Sequence, residues 1–387
     1  MIRNVSVGID VGSAAVRVVV GEFLKGEKDP KIIGTGEAPA EGLRHGYVTD
    51  AGQAAQCVRA ALRNAEKSSG IKIRRAFVSV GGVTVRGESQ SGEAVISKAD
   101  GEVTALDINK ALEDCEENLS LGNKKIIGIF PTSFKLDGKE VLGRPEGMRG
   151  TKLEAKALFV TTSDQHLEEL LSVVAEAGVE PVDIVAGPVA ASAVALSEKE
   201  KIVGSALVNI GAETTSLAVF ENGTLISLYT FSIGSSDITN DIALGFKITL
   251  EEAERMKLGE DQSQFSKKKF EEIVEARLAD IFELIGNHLK KIKRNELLPA
   301  GIVFVGGGAR TPGLEELSKS SLKLPSKIGT TEMFGQNKTR VRDSSWFTAV
   351  GLLYSDSSGS GYASSSSSSL FKGLKNTIKS ITKQLMP

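Results

Sequence analysis

Apolar residues alternate with small or polar ones in two segments of the chain, residues 5–38 and residues 206–234. Each segment contains three short runs rich in Val, Ile and Leu, and turns of small or polar residues separate the runs. This pattern predicts a three-stranded β-meander. Because the pattern occurs twice, the sequence predicts two related lobes.

Other segments place apolar residues at the three- and four-residue spacing of an amphipathic helix, namely residues 51–68, 164–178 and 270–296. The third segment predicts a long helix whose apolar face packs on the core: Ile273, Val274, Leu278, Ile281, Phe282, Ile285, Leu289 and Ile292. Helices that follow strands predict an α/β protein whose sheets are covered by helices.

Between the two repeats the pattern changes at residues 84–159. Strand-like runs (GEAVIS and KKIIGIFPTSFKL) flank one helical segment at residues 107–119, and glycine turns separate them. This segment predicts an inserted α+β subdomain. Near the C-terminus, residues 355–369 are rich in Ser and Gly, a composition that favours a flexible linker.

The last segment, residues 370–387, has the pattern of an amphipathic helix. Its apolar face consists of Leu370, Phe371, Leu374, Ile378, Ile381 and Leu385. Its opposite face carries Lys372, Lys375, Lys379 and Lys383. We expect this helix to lie flat on an anionic membrane surface. The alternative is that the apolar face packs on the protein itself or in a partner's groove.

Composition narrows the function classes. The chain has 387 residues, 41% hydrophobic and 25% charged, which is enough for a folded body of two domains. A net charge of -2 gives no basic field for nucleic acid. Cys57 and Cys115 form no CxxC pair, and the three histidines lack metal-ligand spacing. Since no signal peptide or spanning apolar run is visible, we expect the protein to stay inside the cell.

Three glycine-rich turns follow apolar runs: GIDVGS at residues 8–13, NIGAETT at residues 209–215 and VGGGA at residues 305–309. Small residues at such a junction let backbone N–H groups approach phosphate oxygens. Tight hairpins also need glycine for conformational reasons alone. Asp10, at the end of the first run, is placed to hold a hydrated Mg²⁺ or to cap the turn.

The chain resembles the FtsA family of actin-like bacterial division proteins, which belongs to the superfamily of actin, heat-shock chaperones and sugar kinases. The resemblance is carried by GIDVGS, GLRHGYVTD, GPVAASAVAL, NIGAETTSLAVFENG, ITNDIALGFKITLEEAERMK, GIVFVGGGARTPGL and the basic tail. It implies an actin-like fold of two lobes that holds ATP and Mg²⁺ between them. The implied lobes are residues 1–83 with 160–200, and residues 201–354 with a helical subdomain at 232–298.

The resemblance also implies site residues. In the first lobe, Gly12, Ser13 and Ala14 would lie at the phosphates, with Asp10 near Mg²⁺. The second lobe would contribute the loop residues Asn209, Gly211, Thr214 and Thr215. The nucleoside would lie beside Gly306, Gly307 and Gly308, and the ribose or adenine beside Glu254 and Lys257.

The sequence departs from the family pattern at three positions in or beside the two phosphate loops. Asn209 stands where the second phosphate loop usually has Asp, and an amide cannot accept a proton as a general base. Glu213 replaces a usual glycine, and Ala15 replaces a more polar residue. A carboxylate near phosphates is repulsive unless it turns away or helps to bind the metal. We therefore predict nucleotide binding with slow hydrolysis or none.

The function implied by the resemblance is a peripheral protein on the cytoplasmic side of the membrane at the division site. Such a protein self-associates into filaments and tethers FtsZ, whose tail docks on the lobe around residues 232–298, and other division proteins are further partners. The inserted subdomain would replace one actin subdomain and contribute filament contacts. One alternative is a PilM-type scaffold of pilus assembly. Another is a small-molecule kinase, which Asn209 disfavours because a kinase needs a carboxylate base.

Overall fold

The computed structural model describes residues 4–260, 265–331 and 340–355. The predicted helix at 370–387, with all the membrane-facing residues named for it, lies outside the described residues. So does the predicted linker at 355–369 apart from its first residue.

The described residues form three main sheets and a set of covering helices. The strands are β1 (Asn4–Val11), β2 (Ala15–Phe23), β3 (Lys31–Pro39), β4 (Leu43–Arg44), β5 (Tyr47–Val48), β6 (Arg75–Val80), β7 (Arg86–Val95), β8 (Lys124–Leu136), β9 (Lys139–Val141), β10 (Lys152–Ser163), β11 (Glu180–Ala186), β12 (Ser205–Ile210), β13 (Thr215–Glu221), β14 (Thr224–Phe231), β15 (Ile302–Val305) and β16 (Ser326–Ile328). The helices are α1 (Ala51–Ser69), α2 (Ala105–Glu117), α3 (Asp164–Glu176), α4 (Gly187–Ala195), α5 (Glu198–Val203), α6 (Ser235–Phe246), α7 (Leu250–Lys257), α8 (Lys267–Lys291), α9 (Leu314–Leu322) and α10 (Phe347–Gly351).

Two of the sheets have the same topology. The first runs in the order β11-β6-β1-β2-β3, and the second in the order β14-β13-β12-β15-β16. In each, the first strand of the meander lies at the centre, antiparallel to the second strand and parallel to a later strand. The predicted repeat of β-meanders in an α/β protein is therefore confirmed, and each sheet forms the centre of one lobe.

The predicted helices are present with shifted ends. The segment at 270–296 is helical from Lys267 to Lys291, and Ser266 caps its start by accepting a hydrogen bond from the Lys269 amide. Its apolar stripe is buried in the core of the second lobe, as predicted. The helix predicted at 107–119 begins at Ala105, because Thr104 and Asp107 form a capping box there.

The inserted segment folds as a separate sheet in the order β7-β10-β8-β9, and α2 packs on β7 and β10. Its core is its own cluster of apolar side chains around Phe159, Leu153 and Ala157. This arrangement confirms the predicted α+β insert. The insert also contacts the second lobe, since the Thr224 hydroxyl donates a 3.2 Å hydrogen bond to the Pro131 carbonyl.

The two lobes are joined where α4 and α10 pack against each other. Gly351 of α10 approaches α4 so closely that a Cβ on it would lie 1.9 Å from the Ala190 carbonyl oxygen. Only glycine fits at this crossing. The lobes consequently meet on a tightly packed helix pair below the cleft that separates them.

Candidate functional site

Two hairpin loops, one from each lobe, border the cleft. In the first lobe the Gly12 amide donates to the Ala15 carbonyl at 3.2 Å, and in the second the Gly211 amide donates to the Thr214 carbonyl at 2.8 Å. The loops are equivalent in the repeat, because each connects the first and second strands of its meander. The duplication therefore places two similar glycine loops at one cleft.

The cleft has a volume of about 410 Å³ and is lined by residues of both lobes. Most of the predicted site residues are in its lining: Asp10, Gly12, Ser13, Ala14, Asn209, Gly211, Thr214, Glu254, Gly306 and Gly307. These residues are distant in the sequence, and the fold brings them together. Gly306 has φ +89°, and a Cβ on it would lie 2.3 Å from Oδ1 of Asn209, so only glycine fits between this turn and the second loop.

Three predicted residues lie behind the cleft wall. The Thr215 hydroxyl is buried and donates to the Ile233 carbonyl at 2.8 Å. Lys257 is buried as well, and its ammonium donates to Oε2 of Glu254 at 2.7 Å and to the Ser235 carbonyl at 3.1 Å. Gly308 packs on the Ile210 side chain. These groups support the lining and are not themselves part of it.

Asp10 lies on the floor of the cleft and is partly buried. Burial raises the pKa of its carboxyl, while the Ser79 hydroxyl and the Arg17 guanidinium act in the opposite direction. Ser79 donates a 2.6 Å hydrogen bond to Oδ1, which leaves Oδ2 for another partner. One carboxylate beside a cleft lined by two glycine loops fits the usual coordination of Mg²⁺, which keeps several waters.

Sequence reasoning missed two cations in the lining, Arg17 and Arg310. Arg17 is directly opposite Asp10 in the β1–β2 register, and its side chain is 18% exposed. Its guanidinium lies 3.0 Å from Glu37 and 5.6 Å from the Trp346 ring centroid. A signal was available, because Arg17 is the one charged residue in the apolar run AVRVVV. A guanidinium at this place can donate hydrogen bonds to a polyanionic ligand.

The three residues that depart from the family pattern lie in different places relative to the cleft. Ala15 and Asn209 line the cleft. Glu213 turns toward the first lobe, where its Oε2 accepts a 2.6 Å hydrogen bond from the His45 amide. The carboxylate is therefore bound by the opposite lobe and does not project into the cleft.

Comparison with known proteins agrees with this architecture. The family model described as "Cell division protein FtsA" matches residues 206–351, and the model described as "SHS2 domain inserted in FTSA" matches residues 82–161. "Cell division protein FtsA" of Bacillus subtilis is 31% identical over 369 residues, which cover 90% of this chain and 82% of that protein. The chain belongs to the FtsA family of cell division proteins. The resemblance stated from the sequence is thereby confirmed.

Solved structures show the fold of this FtsA-family chain. The "PilM-PilN type IV pilus biogenesis complex" superposes with a TM-score of 0.68 at 18% identity, covering 90% of this chain and 98% of the other. MreB 5 of Spiroplasma citri bound to AMPPNP superposes with a TM-score of 0.51 at 14% identity, covering 96% and 98%. These likenesses confirm the predicted actin-like fold. Among the residues that the structure describes, no helix is long and apolar enough to cross a membrane.

Proposed function

We propose that this FtsA-family protein binds ATP with Mg²⁺ in the cleft between its lobes, self-associates, and tethers FtsZ to the cytoplasmic face of the membrane through residues 370–387. The observation that supports nucleotide binding is the pair of equivalent glycine loops around one cleft, with Asp10 and Arg17 on its floor. Family membership supports the role in cell division.

The residues of the cleft fit a magnesium nucleotide. The loops at Gly12 and Gly211 present backbone to the phosphates, and Arg17 supplies positive charge. Asp10 would hold the metal through its free oxygen or through a water, and the ion would neutralise phosphate charge. Glu254 is held by Lys257 and Thr239 at the wall, where it can accept a hydrogen bond from a ribose hydroxyl.

The same cleft is poorly equipped to hydrolyse ATP. Asn209 occupies the position in the second loop where a carboxylate would activate water, and Glu213 is bound to His45 outside the cleft. Without a carboxylate at this position, the second loop does not assist proton removal from the attacking water. We therefore propose that the nucleotide acts mainly as a structural ligand that holds the lobes together, with slow turnover or none. A small-molecule kinase, which needs such a base, is disfavoured for the same reason.

The tethering role depends on the predicted terminal helix. Its apolar face would enter the lipid interface while its lysines contact anionic headgroups, each lysine contributing about 1 kcal/mol. A single helix of this kind binds weakly, and self-association would multiply the affinity through avidity. The family models favour this role over that of a PilM-type scaffold, because both describe FtsA proteins.

A sedimentation experiment tests the proposal. The full chain is mixed with FtsZ, Mg²⁺-ATP and vesicles of phosphatidylglycerol and phosphatidylethanolamine at low salt, and the pellet is analysed and imaged. We expect both proteins to pellet with the vesicles and filaments to appear on them. Ile378→Glu, which places a charge on the apolar face, should release both proteins into the supernatant.

Asn376→Glu is the matched control, because it adds the same charge on the lysine face of the predicted helix. It should retain most of the vesicle binding. Failure of the unmodified chain to pellet with vesicles would contradict the tether. If the chain pelleted with the vesicles while FtsZ stayed in the supernatant, only the proposed partner would be contradicted.

A further inference from the structure

Glu213 and His45 connect the two lobes at the mouth of the cleft. Glu213 lies in the loop between β12 and β13 of the second lobe, and His45 lies in the β4–β5 hairpin of the first. Oε2 of Glu213 accepts a 2.6 Å hydrogen bond from the His45 amide, and the His45 ring Nδ1 lies 3.1 Å from the Glu213 carbonyl oxygen. Two contacts therefore join the same pair of residues across the cleft.

On the first lobe, the hairpin that carries His45 is held in place by contacts of the neighbouring Gly46. The Gly46 amide donates a 3.2 Å hydrogen bond to the Ser13 hydroxyl, so the hairpin is attached to the first glycine loop. Gly46 also packs against Gly82 so closely that a Cβ on Gly46 would lie 2.4 Å from the Gly82 Cα. Because Ser13, Gly46 and Gly82 line the cleft, the hairpin forms part of its wall.

On the second lobe, the loop that carries Glu213 is held in place by hydrogen bonds to the start of α6. Gly211 and Ala212, next to Glu213, accept backbone hydrogen bonds from Ser235 and Ser236 at the start of α6. The Glu213 side chain is 24% exposed, and Arg44 adds an exposed ion pair of 3.9 Å at its other oxygen. An exposed pair contributes little, so the charge-assisted bond to the His45 amide is the main attraction.

We propose that Glu213 and His45 form an interlobe clasp whose opening sets the rate at which nucleotide enters and leaves the cleft. The inference rests on the proposed nucleotide binding and concerns its regulation. Glu213 is a positioning residue here, because it contacts the opposite lobe and is not in the cleft lining. Since the clasp opposes lobe opening in both directions of exchange, removing it should raise the association and dissociation rates together and leave the equilibrium affinity nearly unchanged.

Stopped-flow fluorescence of the full chain with Mg²⁺ and N-methylanthraniloyl-ATP tests this inference. Loss of a hydrogen bond to a charged group predicts that Glu213→Ala raises both rate constants by about tenfold. Glu213→Gln keeps an acceptor oxygen without the charge and should have intermediate rates. Dissociation from Glu213→Ala within about twofold of the unmodified rate would overturn the clasp, as would a rise confined to dissociation.

Glu221→Ala is the matched control. Glu221 also lies on the second lobe and is similarly buried, at 29% exposed, but its 2.7 Å ion pair with Arg294 stays within that lobe. It should exchange nucleotide at the unmodified rates. His45→Gly keeps the amide donor, and glycine suits the φ of +49° at this position, so its rates should rise less than those of Glu213→Ala.

Amide hydrogen exchange separates this inference from the proposed function. In the unmodified chain the His45 amide should be protected, and Glu213→Ala should raise its exchange rate by about tenfold with no nucleotide added. Equal exchange in the two proteins would overturn the clasp whether or not nucleotide binds. A chain that binds no nucleotide would instead overturn the proposed function, and with it the role of the clasp in exchange.

Discussion

The Ser79 hydroxyl donates a 2.6 Å hydrogen bond to Oδ1 of Asp10, which links β6 to β1 on the floor of the cleft. The sequence separation of these residues is 69 positions. The bond orients a carboxylate whose pKa is raised by burial. A carboxyl group placed where burial disfavours its charged form is typical of a binding site, where function rather than stability retains it.

Asp10→Asn should separate metal binding from folding. The amide keeps the volume and an acceptor for Ser79, and it replaces a carboxyl whose charged form burial disfavours, so the free energy of unfolding should be unchanged or higher. Affinity for Mg²⁺-ATP should fall by about tenfold, or about 1.4 kcal/mol. Calorimetric titration with ATP, once in the presence of Mg²⁺ and once in the presence of EDTA, measures the affinity. If the variant lost the same affinity under both conditions, a metal role for Asp10 would be contradicted.

Asn209→Asp should increase ATP hydrolysis. Asn209 lines the cleft, and a carboxylate there would supply both a general base and a negative charge near the metal. We expect phosphate release to rise by about tenfold or more. The control is Asn222→Asp. Asn222 is a turn residue with φ +53° that follows β13, at the end of this strand away from the second glycine loop, so the substitution should leave the rate of phosphate release unchanged. Unchanged phosphate release from a variant that still binds ATP would exclude Asn209 as the cause of slow turnover.

Gly351→Ala should destabilise the junction of the lobes. The added methyl group would collide with the Ala190 carbonyl oxygen, and overpacking of this kind costs about 1–3 kcal/mol. Chemical denaturation measures the loss. Gly286→Ala is the control, because the new methyl on α8 would lie 3.4 Å from Leu322, an ordinary contact, and alanine favours the helix. If the two variants were equally stable, tight packing between α4 and α10 would be excluded.

His288 should make stability depend on pH. Burial, with a smaller effect from Lys291, lowers the pKa of its imidazole to about 4 in the folded protein. The unfolded chain then binds a proton at a higher pH than the folded chain does. With respect to this group, the free energy of unfolding is therefore highest above pH 6.5. It declines as the pH falls toward 4, by at most about 1.4 kcal/mol per pH unit.

His288→Gln tests this assignment, because the amide can still pair with the Ser227 hydroxyl, which lies 2.8 Å from Nε2 of the histidine. Denaturation of both proteins at several pH values between 4 and 7 should show a shallower decline in the variant. The remaining decline includes His166, whose pKa burial also lowers. If the free energy of unfolding declined equally with pH in the two proteins, His288 would not be a cause of the decline.

Much of the architecture could be predicted from local sequence patterns. The alternation in residues 5–38 and 206–234 gave the two meanders, and the helical stripe of α8 gave its buried face. Helix ends were less accurate, because a single capping residue such as Thr104 or Ser266 moves them by two or three positions. Arg17 was not predicted, because glycine turns indicate a phosphate site and a single charge in an apolar strand has no such specific pattern.

The repeated strand pattern, the insert, the glycine loops and the resemblance to the FtsA family were all predictable from the sequence, since they depend on residues near one another in the chain. Which side chains face the cleft became known only from the folded chain. Thr215 and Lys257 turned out to lie behind its wall, and Glu213 bonds to His45, which is 168 positions away. The direction of a side chain depends on partners that the folded chain brings close, and no local pattern records them.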